Sequence, residues 1–219
     1  MATRDTIVIG ASAGGVQALS KLVAEDLPAA VFIVLHVPSD VPSLLPGILS
    51  RESRLLVAHA ENGEKIKWGR LYVAPPDRHL LIEDEQVKLV HGPKENLHRP
   101  SIDTLFRSAA RSAGPRTIGV ILTGARDDGR AGMRAIKQCG GTAIVQDPLE
   151  APFPSMPMSV MQEIKVDYSV TLREIAPLLD RLSRETSGEE RRYPVPDEVE
   201  IEARIAQQDM ESDELIMRG

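Results

Sequence analysis

The segment Gly10-Ala-Ser-Ala-Gly14 places a serine between glycines where an apolar run gives way to a helical pattern. Gly-x-Ser-x-Gly at a strand–turn–helix junction exposes a hydroxyl at the tip of the turn. Such a hydroxyl attacks carbonyls only when a base takes its proton, and the base needs a partner that fixes its tautomer. Ser12 with a suitable histidine and acid would therefore perform acyl transfer. The start of the helix adds free N–H groups and a positive dipole end, which suit an oxyanion, and the N–H near Ala13 is one donor that this geometry offers.

The same turn has other readings. Ser12 could simply cap the helix after the first strand. A dinucleotide site needs Gly-x-Gly-x-x-Gly and an acid at the end of the second strand. Here Ser12 occupies the middle glycine position and the second strand ends in His36. The triphosphate loop needs Gly-Lys-Ser/Thr, which the turn lacks.

The elements that must position these groups follow from periodicity. Thr6–Gly10 and Val31–Leu35 are short, β-branched and apolar throughout, as buried parallel strands are. Between them Val16, Leu19, Leu22 and Val23 recur at helical spacing, which completes a βαβ unit. Thr117–Leu122 reads as a third core strand and leads into Thr123-Gly-Ala-Arg-Asp-Asp-Gly129. In a parallel sheet the C-terminal strand ends converge on one crevice. Ser12, His36 and the acidic pair Asp127-Asp128 each come just after such an end. His59 and His91 have no acid at a matching strand end. His79 and His98 sit beside Arg78 and Arg99, which disfavour an imidazolium, so both read as surface or hydrogen-bonding histidines able to touch substrate.

Elsewhere Ser101 is placed to cap a helix with Ile102, Leu105, Phe106, Ala109 and Ala110 on its apolar face. A helix over about 129–139, a strand at Thr142–Gln146 and a helix at Leu172–Arg184 come next. Residues 64–90 alternate polar and apolar pieces, Arg70–Ala74, His79–Glu83 and Gln86–Val90, and read as an antiparallel hairpin insertion or edge turning at Asp84-Glu85. Together these imply an α/β fold, doubly wound on a mostly parallel sheet, with a small antiparallel hairpin.

Composition narrows the classes. The chain has 219 residues, 42% of them hydrophobic and only 3% aromatic, so the core is built from aliphatic side chains. The single cysteine, Cys139, rules out an intrachain disulfide and fits a reducing compartment. Neither a signal peptide nor an apolar run of membrane-spanning length is read. Of the net charge of −6, residues 185–219 hold −7, from eleven acidic and four basic side chains. The remainder is near neutral, without the concentrated basic face of a nucleic-acid binder. The expected organisation is a catalytic domain over 1–184 and an acidic, flexible tail over 185–219. Within that tail 197–208 has a helical alternative with Val199, Ala203 and Ala206 on one side.

Five blocks in order and spacing resemble the CheB-type methylesterases: Gly10–Gly15, Leu35-His36, Tyr72-Val-Ala-Pro75 with Arg78-His79, His98–Phe106 and Leu122–Met133. The resemblance covers about residues 5–183. It implies hydrolysis of γ-glutamyl methyl esters, and deamidation of certain glutamines, on the cytoplasmic helices of chemoreceptors. Ser12 would be the nucleophile, His36 the base and Asp128 the orienting acid, since Asp127 aligns with a variable position. The N–H of Ala125 becomes a second oxyanion candidate. No cofactor or metal is implied, and the expected setting is a cytoplasmic monomer acting on methylated receptor.

Three departures accompany the resemblance. Ala13 stands where members often have threonine. Gly124-Ala125-Arg126 replaces a Gly-Met-Gly turn, and Arg126 lacks glycine's freedom at positive φ. The sequence opens at the catalytic strand, and the receiver domain that precedes it in many members is not expected from it. Arg99 and Arg126 are expected to hold acidic receptor helices. A catalytically quiet binding module in a signalling complex is the alternative, and a dinucleotide oxidoreductase stands further off.

Overall fold

β-Branched, fully buried runs form the centre of the sheet. Strands β1 (Thr6–Ala11), β2 (Ala30–Leu35) and β7 (Thr117–Ile121) are buried at every position, as strands covered on both faces must be. The computed structural model describes residues 3–23, 27–38, 41–187 and 193–207. With β3 (Leu56–His59), β4 (Arg70–Val73), β8 (Thr142–Gln146) and β9 (Tyr168–Val170) these strands make a seven-stranded sheet. Its order is β3-β4-β2-β1-β7-β8-β9 and every pairing is parallel.

Alternation along each strand divides the core into two layers. Ile7, Ile9 and Ala11 of β1 face helices α1 (Gly15–Leu22), α2 (Leu45–Leu49) and α6 (Leu172–Arg184). Val8 points the other way, toward α3 (Ile102–Ala113), α4 (Arg130–Gln138) and α5 (Ser155–Glu163). The expected apolar face of α3 is wholly buried in that second layer. Helices on both faces of a parallel sheet make the doubly wound α/β architecture.

The chain leaves β1 toward β2 and β4, then returns to β7 on the other side of β1. This reversal is the switch point where doubly wound sheets open a crevice at the strand C-termini. Ser12 lies just past β1 there, and 123–129 just past β7.

The middle segment divides differently from its sequence pattern. β5 (His79–Glu83) and β6 (Gln86–Val90) form the antiparallel hairpin, with Asp84 and Glu85 at φ 47° and 60° in the two-residue turn. Arg70–Val73, grouped with that hairpin in the sequence, is instead β4 of the main sheet, paired in parallel with β2 and β3. A four-residue strand with an intermediate residue at one end carries too little pattern to reveal its direction.

The helical alternative for 197–208 is the form present over Asp197–Ala206, here α7. Val199, Ala203 and Ala206 are buried, and Val199 joins the second core layer. Glu200 reaches Arg111 and Glu202 reaches Arg107, both on α3, at 2.8 and 3.3 Å. The acidity of this part of the tail, which in sequence suggested a solvated segment, thus meets cations on a neighbouring helix. Residues 188–192 and 208–219 lie outside the described residues. Among the described residues no helix is long and apolar enough to cross a membrane.

Candidate active site

The glycine turn is shaped by close approaches. Gly14, at φ 74°, ends the turn and precedes α1. A Cβ on Gly15 would lie 2.6 Å from Leu35 and 2.8 Å from Ala11, so only glycine lets α1 begin this near the sheet. The turn is also braced from β7. The Ser12 N–H donates to Thr123 O at 3.1 Å, and Thr123 Oγ1 donates to Ala13 O at 3.0 Å. Ser12 is half-buried, with its backbone fixed on both sides. Its side chain bonds His36, and no capping bond from it to α1 is present.

His36 enters this crevice from the end of β2, its N–H bonded to Ala11 O at 3.2 Å. Its Nδ1 lies 3.1 Å from Ser12 Oγ, and its Nε2 lies 2.7 Å from Asp128 Oδ2. The His36 side chain is 7% exposed and that of Asp128 1%.

Asp128 accepts more than this one bond. The N–H groups of Ile102 and Asp103, at the start of α3, donate to Oδ2 and Oδ1 at 2.8 and 3.2 Å. Ser101 Oγ and Asn96 Nδ2 both donate to Oδ1, each at 2.9 Å. Ser101, expected to cap α3 with its hydroxyl, instead spends that hydroxyl on Asp128, and the carboxylate takes over the capping role. Burial opposes ionisation of Asp128. The hydrogen bond and charge of His36, with the Ile102 N–H and the Asn96 amide, overturn that penalty and hold its pKa down to about 2. An ionised Asp128 can only accept, so the proton on this side belongs to His36 Nε2. Nδ1 then keeps a lone pair directed at Ser12.

Asp103 shares the pocket. It accepts from Gly132 N–H on α4 at 2.6 Å and from Asn96 Nδ2 at 2.8 Å. Burial, then the charge of Asp128, pushes its pKa up to about 7.

The neighbouring acid Asp127 lies outside this arrangement and pairs with Arg130 at 3.0 Å. Gly124 lies against Ser12, where an added Cβ would be 3.0 Å from Ser12 Cβ and 2.5 Å from Met156. The loop carrying Ala125 therefore borders Ser12. Among the described residues neither the Ala13 nor the Ala125 N–H has a hydrogen-bond acceptor, while that of Ser12 is taken by Thr123. Arg126 is exposed at φ 68°, in the left-handed region that glycine prefers.

Arg99 is placed otherwise than expected. Its Nε and Nη2 donate to Asp77 at 3.0 and 2.8 Å, and its Nη1 to Gly92 O at 2.7 Å. With 11% of the side chain exposed, it braces the loop before α3 instead of presenting a free cation to substrate. His79 is fully buried, not at the surface. Its Nε2 donates to Pro93 O at 2.8 Å, and its Nδ1 faces the Ser101 N–H and the Thr104 hydroxyl. His98 stacks on His36 with ring centroids 3.6 Å apart and planes 7° from parallel. Asn96 and Asp103 escaped the sequence reading as parts of the site, and His98 was read there only as a surface or hydrogen-bonding histidine able to touch substrate. Only their presence in or beside the His98–Phe106 block pointed toward them.

The chain has relatives among known proteins. The family model described as CheB methylesterase matches residues 7–179. The Anaeromyxobacter dehalogenans protein named protein-glutamate methylesterase/protein-glutamine glutaminase 4 is 38% identical over 192 residues, covering 85% of this chain and 54% of that protein. A Leptospira interrogans protein that provisionally carries the same two activities in its name is 42% identical over 185 residues, covering 82% of this chain and 95% of that protein. The chain thus spans nearly all of one relative and about half of the other. The crystal structure of the Thermotoga maritima CheB methylesterase catalytic domain superposes with a TM-score of 0.77 at 34% identity, over 81% of this chain and 98% of that one. With the family model extending over most of the sequence, the chain belongs to the CheB methylesterase family.

Proposed function

We propose that this protein is a protein-glutamate methylesterase that also deamidates glutamine, with Ser12 as nucleophile, His36 as base and Asp128 as orienting acid. The observation that carries this reading is the unbroken line of hydrogen bonds from Ser12 Oγ through His36 to Asp128. Relatives named for both activities support the reaction class.

His36 Nδ1 takes the Ser12 proton as Oγ attacks the ester carbonyl. The developing imidazolium is stabilised by Asp128, which is already ionised and needs no rearrangement. The carbonyl oxygen becomes an oxyanion facing the N–H groups of Ala125 and Ala13, each worth roughly 3 kcal/mol if well aimed. The intermediate collapses as His36 returns its proton to the leaving methoxide, which departs as methanol. Water then attacks the glutamyl-serine ester with His36 again as base, releasing the glutamate side chain and restoring Ser12. With a glutamine side chain the leaving group is ammonia and the rest is unchanged.

The substrates are methylated helices of chemoreceptor cytoplasmic domains, and the enzyme works in the cytoplasm as a monomer. Arg126, exposed on the loop beside the nucleophile, meets acidic residues around the methylated site. The catalytic unit is residues 1–184. The acidic segment 185–219 comes after it, with α7 resting on α3.

Methanol release from a methylated receptor fragment tests the reading. The wild type should release methanol stoichiometrically and Ser12→Ala should release none. Turnover that survives in Ser12→Ala would overturn the assignment, and absence of turnover in wild type would favour a binding module.

A further inference from the structure

Residues 95–98 form a turn whose conformation its sequence does not favour. His98 N–H donates to Glu95 O at 2.8 Å, and Glu95 N–H to His98 O at 3.2 Å. The two residues between, Asn96 and Leu97, have φ 51° and 70°. A two-residue turn with both central residues at positive φ prefers Asn-Gly. Asparagine suits the first place, but leucine at the second costs about 1–2 kcal/mol. Strain of this kind persists where surrounding contacts over-determine the backbone. Here the base of the turn is tied by the Glu95 carboxylate to the buried guanidinium of Arg107 on α3.

Both flanks of Leu97 touch the proposed machinery. On one side Asn96 Nδ2 donates to Asp128 Oδ1 at 2.9 Å. On the other the His98 ring lies flat on His36, 3.6 Å between centroids and 7° between planes. Lone pairs and N–H bonds of an imidazole point in its ring plane, so the bonds of His36 to Ser12 and Asp128 hold its two nitrogens in that plane's directions. They leave the ring free to rock about the line joining its two partners. A ring stacked on one face removes that freedom.

We propose that His98 is a positioning residue for the reaction: it fixes the plane of His36 so that Nδ1 stays aimed at Ser12, while Asn96 in the same turn fixes the Asp128 carboxylate. The stack also suits the charge that develops. A neutral aromatic face stabilises the imidazolium, whereas a second cation would oppose it. Burial, then His36 itself, holds the His98 pKa below the usual histidine range. Arg126 and Lys94 act in the same sense and Asp128 against it. The balance of these influences favours the neutral His98 ring beside His36.

This inference rests on the hydrolase reading above, and the test separates the two. Turnover of methylated receptor fragment and the rate of Ser12 labelling by a serine-directed phosphonate are measured for wild type, Ser12→Ala, His98→Ala and His98→Phe. Circular dichroism verifies folding. His98→Ala should lower kcat and labelling about ten- to hundredfold with KM changed by less than about twofold. His98→Phe, which keeps a flat ring but no titratable nitrogen, should recover most of the loss. A kcat for His98→Ala within about twofold of wild type would remove the role. So would a Phe variant as slow as the Ala variant, or an effect confined to KM. If His98→Ala does not fold, recovery or loss in His98→Phe decides alone. Undiminished turnover in Ser12→Ala would instead overturn the hydrolase reading.

Discussion

Asp103 and Asp128 each cap the helix that begins beside the other. Asp128, two residues before α4, accepts the Ile102 and Asp103 N–H groups that open α3. Asp103, in the first turn of α3, accepts the Gly132 N–H in the first turn of α4. One amide, Asn96 Nδ2, donates to both carboxyls at 2.8 and 2.9 Å. Asp128, the proposed orienting acid of His36, is thereby locked to the packing of two helices.

This arrangement gives stability a pH dependence of known sign. Asp103 has its folded pKa raised to about 7 from 3.8, so the folded state holds the proton more tightly. Its contribution is complete below the unfolded pKa and is lost as pH rises through the folded one. Stability should fall between about pH 4 and 8 by on the order of a few kcal/mol. Asp128, lowered to about 2, acts oppositely and only below its unfolded value of 3.8. Urea midpoints at pH 5 and pH 8 check this. Wild type should lose stability over the interval and Asp103→Asn should lose much less. Parallel pH dependences would contradict it.

Removing Asp128 should damage chemistry and fold together. Asp128→Asn places an amide donor among groups that already donate: the Ile102 and Asp103 N–H groups, Ser101 and Asn96. A loss of about 2 kcal/mol in urea unfolding is expected from the unpaired donors. A fall in kcat of roughly a thousandfold or more is expected from the freed His36 tautomer. Ser12→Ala should abolish turnover with stability changed by less than about 0.5 kcal/mol.

Gly124→Ala tests how tightly the proposed oxyanion loop is set. The new methyl would meet Met156 at 2.5 and 2.9 Å and Ser12 Cβ at 3.0 Å. Met156 can shift its flexible end, but Ser12 is held to Thr123 O by its backbone. The expected results are a stability loss of about 1–3 kcal/mol and a fall in kcat of at least about tenfold.

Arg126→Gly should separate backbone from charge. At φ 68° the arginine carries about 1–2 kcal/mol of left-handed strain, part of which glycine's looser unfolded chain cancels. Thermal unfolding should show no loss of stability. If the guanidinium meets acidic substrate, KM should rise severalfold with kcat little changed.

Strand ends were the legible part of the site. Apolar runs ending in Gly10, Leu35 and Leu122 mark where three core strands stop, and a parallel sheet brings the residues just past those stops to one edge. Between Asp127 and Asp128 spacing alone did not decide. The difference lies in which side chain faces the start of α3, and only packing sets that. The turn at 95–98 was illegible for a related reason. Its contacts with His36 and Asp128 depend on two left-handed residues, one a leucine that propensity would not place there. Arg99 looked available because its partners, Asp77 and the Gly92 carbonyl, are brought to it by the fold and not by any local pattern. α7 was ambiguous because its acidity reads the same whether solvated or paired with Arg107 and Arg111.

The most direct test of the account is covalent. Wild-type protein is treated with a serine-directed fluorophosphonate, digested and mapped by mass spectrometry, beside His36→Gln. The account predicts a single adduct on Ser12, with labelling slowed by about a thousandfold or more when His36 is replaced. An adduct on another serine, or labelling of Ser12 at an unchanged rate without His36, would contradict it.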